Sequence, residues 1–506
     1  MAVTTGTTPR VGGVWLVGVG LLSAVVAVGL VRQGLPHHFL DLLVYRFGSR
    51  AATHGQALYQ LHGPAGLRFT YPPFAAFAMW PLTLMPMPVA GGVVLATNAA
   101  LAWGLLALSL RHLPGGVGSV RAVALATLLL PLVLLLEPVQ STLTFGQVNL
   151  FLALMVGVDL LAVPERFRGL LTGVAAAIKL TPAVYILYLV IRRQYRSAAL
   201  AGAAAAACTL ASFAVDPALS RDFWFHALLD TGRIGGQDYA GNQSLWGSMF
   251  RLSEPATPPR VLWLALVATV LTVLWWVVRH DHAVTPLEGY ALAGVATSLI
   301  SPISWTHHLT WIVPVLVILG GHAWRQRGRP GPFLWLMGTY LLFTARVPWH
   351  FAHRPGHHWV DGALGQVLES SYVLFMIAVL LGSTSAVRHQ HPNVAQSMTA
   401  AARLPLQQPP DAEPCRPQIL TCEYGHELIS DHRLRVFTVA AAMPVAVVAT
   451  VDGDKSERRC SGTNRGRQKG AEVMAPENVL VTIAAAVKDE KKGKRHTRSA
   501  LRRVTD

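Results

Sequence analysis

The chain has 506 residues, of which 52% are hydrophobic and only 13% charged, about half the charged share usual for a soluble globular chain. A soluble fold this apolar would expose large sticky patches, so composition excludes an ordinary string of soluble domains and leaves a multi-pass membrane protein. The net charge of +16 fits basic cytoplasmic loops beside anionic lipid; no basic-aromatic stripe or nucleic-acid motif accompanies it, so no nucleic acid is expected as a partner.

Apolar runs suited to a bilayer follow one another along the chain. The first covers residues 11–31. It lacks a small-residue cleavage pattern near its end and reads as an anchor rather than a removed signal. Further runs cover 89–110, 122–136, 150–163, 198–215, 261–278, 290–303, 309–320, 333–343 and 367–381. Several are short, which predicts tilted or broken helices. Two stretches read as broken: 71–88, with Pro72, Pro73, Pro81, Pro86 and Pro88, and 169–191, with Lys179 and Pro182 in mid-run. Broken helices persist in membranes only where protein or a water-filled cavity satisfies the freed backbone groups, so both point to a site.

Arginines orient the bundle. Arg166, Arg168, Arg192, Arg193, Arg196, Arg279, Arg325, Arg327, Arg329 and Arg388 mark cytoplasmic loops. Stretch 169–191 starts and ends beside such clusters and is expected to enter and return. The outer side receives 32–70, 216–260, 304–308 and 349–365, which are long, aromatic and rich in His, Asp, Asn and Gln. Parity between 71 and 121 stays open: one of 71–88 and 89–110 does not cross fully. The expected organisation is a membrane-embedded domain over 1–387 and a cytoplasmic, low-order basic tail over 388–506, where Pro, Gln and charged residues replace the apolar runs. Cys208, Cys415, Cys422 and Cys460 form no CxxC pair, so neither a disulfide framework nor a zinc site is expected.

Chemistry-bearing residues concentrate on the outer side. Asp41, beside Tyr45 and Arg46, suits a general base or a group that orients a sugar hydroxyl; a solvated acid paired with Arg46 is the plainer alternative. Tyr71 opens a Pro-Pro helix start whose free N–H groups suit a phosphate or sugar. Gln147 and Asn149, between two spans, either line a polar cavity or join helices. Lys179 sits in an apolar run, where an isolated lysine costs roughly 3 kcal/mol. It needs an anion: Glu137 or Asp159 in the fold, or a lipid-linked phosphate. Asn242 and Gln243 lie in a Gly241–Gly247 loop with Trp246, and Trp305, His307 and His308 lie between two spans. Arg346 and His350 crowd the last outer loop with His353, His357 and His358. Pro355-Gly356 opposes the helical spacing that a zinc pair needs, and no metal is expected.

These stretches together resemble glycosyltransferase family 87, multi-pass GT-C-fold enzymes of actinobacteria. The resemblance rests on DLLVYR at 41–46, ALY at 57–59, FTYPPFAAFAMWPL at 69–82, FGQVNLFLAL at 145–154, GVAAAIKLTPAVYILYL at 173–189, GNQSLWG at 241–247 and SPISWTHHL at 301–309. It covers about residues 12–385 in order; the tail has no counterpart in it. It implies an all-α, polytopic helical bundle of about 10–13 spans, broken or re-entrant ones included, in the plasma membrane. It implies an acid of the first outer loop at the reaction centre, here Asp41, and His307 or His308 beside it.

The activity so implied is transfer of mannose from a polyprenyl-phosphate mannose donor to a phosphatidylinositol mannoside or related lipoglycan, forming an α-1,2 linkage with inversion, without a cofactor. Lys179 and Arg346 are then expected at the donor phosphate, and Tyr45, Arg46, Tyr71, Gln147, Asn149, Asn242, Gln243, Trp305 and His350 along the substrates. The alternatives are an arabinofuranosyltransferase using polyprenyl-phosphate arabinose, and a transporter or flippase for a lipid-linked sugar. The lack of an internal repeat opposes the transporter.

Overall fold

The apolar runs become helices, and among the described residues the only extended pairing is an isolated bridge between Asn242 and Trp305. A computed structural model of the chain describes residues 39–253, 256–280, 284–352 and 362–390, with isolated positions between 18 and 29. Most of the expected anchor at 11–31 falls outside the described residues, and so do the tail beyond Gln390 and His353, His357 and His358.

Among the described residues, three helices are long and apolar enough to cross a membrane singly: Met87–Arg111, Tyr195–Val215 and Arg260–His280. At 1.5 Å per residue the first extends about 37 Å and the others about 31 Å, against about 30 Å of hydrocarbon. Pro86 and Pro88 open the first, where a missing N–H costs nothing, and Arg111 lies in its last turn. Much of the outward surface is apolar, as at Leu210, Val215, Val261, Leu262 and Leu264, the pattern of helices solvated by lipid tails rather than water. Shorter apolar helices fill in the bundle: Asn149–Leu161, Thr181–Ile191, Ile312–Arg325 and Ser371–Ser383.

Breaks shape the interior. Stretch 71–88 yields a six-residue helix, Pro73–Ala78, and a tight turn, Trp80–Leu84, so Met87–Arg111 is the one long enough to cross. Stretch 169–191 divides into Leu170–Ile178, a tight turn Thr181–Ala183 and Val184–Ile191. Pro182 has no N–H for the Ile178 carbonyl, and Lys179 leaves the helix in an extended conformation. A third break was not anticipated. Ser119–Leu134 and Glu137–Phe145 meet at 80°. Pro138 leaves the Leu134 carbonyl without its helical donor, and the Gln140 side chain donates to the Leu135 carbonyl at 3.0 Å.

Helix Leu170–Ile178 lies directly on Tyr195–Val215. A Cβ on Gly173 would stand 2.2 Å from the Ala201 carbonyl oxygen, and one on Gly169 would stand 2.0 Å from that of Ser197. The two backbones touch in the manner of small-residue membrane packing. Asp159 fixes the start of the same helix, accepting from Gly169 N at 2.8 Å, Thr172 N at 3.2 Å and the Thr172 hydroxyl at 2.6 Å.

Candidate active site

Helix Glu137–Phe145 ends at Gly146, whose φ of 70° is left-handed, a conformation that glycine adopts without strain. Gln147 N then bonds back to the Thr142 carbonyl at 2.9 Å, which turns the Gln147 side chain into the bundle. Its Oε1 accepts from Tyr45 at 2.6 Å and Tyr71 at 3.2 Å, and its Nε2 stands 3.2 Å from His307 Nε2. The Gln147 side chain also acts on Asp41, favouring its charged form. Helix Leu40–Thr53 begins beside it, anchored by Phe39 N to the Thr144 carbonyl at 2.9 Å. That anchor sets Asp41 in the first helical turn, where helix N–H groups favour negative charge.

Asn149 makes the next link. Its Oδ1 accepts from Lys179 Nζ at 2.8 Å, and its Nδ2 donates to the His307 carbonyl at 2.9 Å. Lys179 Nζ also lies 2.9 Å from His308 Nε2 and 5.4 Å from the centre of the Tyr71 ring. The ammonium therefore has neutral partners within hydrogen-bonding distance. The two acids weighed as ion-pair partners are engaged elsewhere: Asp159 caps a helix, and Glu137 holds Thr306, Ser141 and Trp349. The carboxylate that does act on Lys179 electrostatically is Asp41.

Burial pushes the Asp41 carboxyl up to about 6, although the Gln147 side chain and the Lys179 charge both pull it down. Burial, and then the Lys179 charge, hold His307 and His308 well below the usual imidazole range. The arrangement offers one carboxyl, one lysine amine and two neutral imidazoles. That set can take a proton from a hydroxyl and stabilise an anion. A small cavity continues from it past His308, lined by Thr181, Tyr185, Tyr290, Ser298 and Thr310. His308 Nδ1 has no hydrogen-bond partner among the described protein atoms.

Eight of the residues singled out in the sequence thus meet: Asp41, Tyr45, Tyr71, Gln147, Asn149, Lys179, His307 and His308. The others stand apart from this group. Arg46 donates to the carbonyls of Leu82 and Met85, pinning the turn after Pro73–Ala78. Asn242 binds Ser304 N through Oδ1, and Gln243 donates to the Ala240 and Glu369 carbonyls; both brace loops that flank the histidine turn. Trp305 packs against Tyr239. Arg346 donates to Gln140 Oε1 beside Glu137, and exposed His350 bonds the Ala345 carbonyl.

Two participants escaped the reading of the sequence. Asn98 holds the Gln147 carbonyl at 3.0 Å; an amide alone in a 25-residue apolar helix was its signal. Thr142 donates to the His307 carbonyl at 3.3 Å and carries no signal of its own.

Comparison with known proteins places the chain. The profile of glycosyltransferase family 87 matches residues 69–302. The polyprenol-phosphate-mannose-dependent alpha-(1-2)-phosphatidylinositol mannoside mannosyltransferase of Mycolicibacterium smegmatis is 32% identical over 397 residues, covering 72% of this chain and 89% of that protein. The protein of the same description from Mycobacterium tuberculosis is 34% identical over 384 residues, covering 71% and 88%. A phosphatidylinositol pentamannoside mannosyltransferase of Mycobacterium tuberculosis is 32% identical over 334 residues, covering 64% and 76%. No solved structure matches the chain. With a helical membrane bundle, the family profile and relatives matched over most of their length, the chain belongs to glycosyltransferase family 87.

Proposed function

We propose that this membrane glycosyltransferase moves mannose from a polyprenyl-phosphate mannose donor to a phosphatidylinositol mannoside acceptor, forming an α-1,2 linkage, with its site open to the extracytoplasmic side. The observation that carries the reading is the convergence of Asp41, Lys179 and the two neutral histidines around Gln147 and Asn149. A β-linked donor phosphate gives an α-glycoside by one inverting displacement. The acceptor hydroxyl attacks the anomeric carbon, the bond to the phosphate oxygen breaks, and the hydroxyl proton passes to a base. Asp41 is that base or orients the hydroxyl for His307 or His308. The leaving polyprenyl phosphate is a stable anion, so no general acid is needed, and Lys179 meets its charge as it develops. Asn149 and His308, both within hydrogen-bonding distance of Lys179 Nζ, hold the ammonium in place.

The outer-side placement is supported by the arginine distribution: the clusters flank 169–191 and the loops that carry no site residue. The relatives' described donor and acceptor support the substrates.

The test is transfer by purified protein in detergent, with mannosyl and arabinosyl polyprenyl phosphates offered against a panel of glycolipid acceptors. A new α-1,2-mannosidic linkage is expected, with no membrane to cross. Asp41→Ala should abolish it, and Lys179→Met should raise the donor KM strongly while acceptor KM and folding are kept. Transfer of arabinose only, or near-normal activity of Asp41→Ala, would overturn the assignment.

A further inference from the structure

Glu137 is almost fully buried, 1% exposed, in an apolar bundle, and the proposed chemistry does not use it. A buried carboxylate persists only where donors surround it. Three donors from three regions converge on one oxygen: the Thr306 hydroxyl at 2.7 Å, the Ser141 hydroxyl at 2.7 Å and Trp349 Nε1 at 3.3 Å.

The same short helix grips the histidine turn at further points. Thr142 donates to the His307 carbonyl at 3.3 Å, and the Phe145 ring lies edge-on to the His307 ring at 5.5 Å. Beyond Gly146, Asn149 takes the same carbonyl at 2.9 Å. One turn into the helix, Gln140 receives the Arg346 guanidinium. Helix Glu137–Phe145 thus touches the His307 backbone, the His307 ring and the start of the last outer loop. Glu137 is the residue where the histidine turn and that loop share a single atom.

We propose that Glu137 is a positioning residue: its Oε1 ties the Thr306–His308 turn and Trp349 of the last outer loop to the helix that leads through Gly146 into Gln147, and so sets where the two histidines stand relative to Asp41 and Lys179. The proposal rests on the reading of His307 and His308 as groups of the active site. The demand is for an acceptor oxygen at this point. Glutamine supplies one and alanine does not.

The experiment compares Glu137→Ala, Glu137→Gln, Thr306→Val and Thr306→Ser in the full chain, purified in detergent. The readouts are kcat, donor KM, and the rate at which diethyl pyrocarbonate labels His307, followed by mass spectrometry. Glu137→Ala and Thr306→Val should lower kcat about tenfold to a hundredfold, the loss expected from misplacing a group by about 1 Å, with donor KM held within about threefold. Both should label His307 several times faster than the parent. Glu137→Gln and Thr306→Ser, which keep the acceptor and the hydroxyl, should stay within about fivefold of the parent kcat.

Unchanged kcat and labelling in Glu137→Ala would overturn the proposal. So would Glu137→Gln as damaged as Glu137→Ala beside a normal Thr306→Val, because the charge and not the clamp would then matter. If Glu137→Ala fails to assemble, the Thr306 pair decides by the same criteria. If the parent protein transfers no sugar, the mannosyltransferase reading falls, and the labelling rates alone decide whether Glu137 holds the turn.

Discussion

Asp41 is kept in a state that opposes its own ionisation. Its pKa in the fold, about 6, stands above the ordinary value of 3.8. A carboxyl shifted upward favours folding below its ordinary value, and that contribution disappears as pH rises through about 6. At neutral pH the charged form is therefore a strain on the fold that the proposed base role requires. Asp41→Asn should raise the thermal midpoint at about pH 7.5 and have little effect near pH 4, while abolishing transfer. The parent rate should fall as pH drops through about 6, where the base takes up a proton. A flat rate profile from about pH 5 to 8, with no gain in stability from the amide, would remove Asp41 as the base. At this scale the sequence was informative where a polar residue stood out against its surroundings, as Lys179 and Asp41 do. It was silent on partners. Nothing local distinguishes Arg46, which turns to the Leu82 and Met85 carbonyls, from Tyr45 next to it, which faces Gln147.

Breaks, more than spans, place the chemistry at the scale of elements. Each interruption follows from a proline that denies a carbonyl its helical donor, and two of the three were visible as proline clusters or as Lys179 next to Pro182. The third falls at the end of the apolar run 122–136, which carries no cluster of that kind. Pro131 lies inside the Ser119–Leu134 helix, and Pro138 begins the next one at 80° to it. One helical proline is tolerated and the other marks a sharp turn; tertiary packing makes that distinction. The helix pair Leu170–Ile178 and Tyr195–Val215 carries Lys179 at its rim, and its contact leaves no room at Gly173. Gly173→Val should force the helices apart and cost about 2 kcal/mol or more by overpacking, lowering the thermal midpoint and weakening donor binding together. A variant as stable as the parent would show that the pair has slack.

For the molecule as a whole, the apolar composition and the order of motifs made the class and the family resemblance legible, because both are distributed along the chain. The number of spans was less so. About 10–13 are expected, broken or re-entrant ones included, and among the described residues three single helices are long and apolar enough by themselves, or four spans if the bent pair is one. The remaining apolar helices of the bundle have 10–17 residues, and their runs in the sequence do not show how far each reaches. The grip of helix Glu137–Phe145 on a turn some 170 residues away was not legible at all, since Glu137 to Thr306 is a contact between distant segments.

The gap between Ile178 and Thr181 sets Lys179 within an apolar run of the chain. A sugar carried on a polyprenyl chain reaches such a position by drifting within the hydrocarbon, in two dimensions. The quantity that governs encounter is then the donor's mole fraction among surrounding amphiphiles, not its molarity. At fixed protein and subsaturating donor, added detergent micelles should slow the initial rate in proportion to the dilution of that surface, and added donor at the same ratio should restore it. A rate that follows total molarity regardless of micelle content would mean that the lipid tail is drawn out into water before the sugar is transferred.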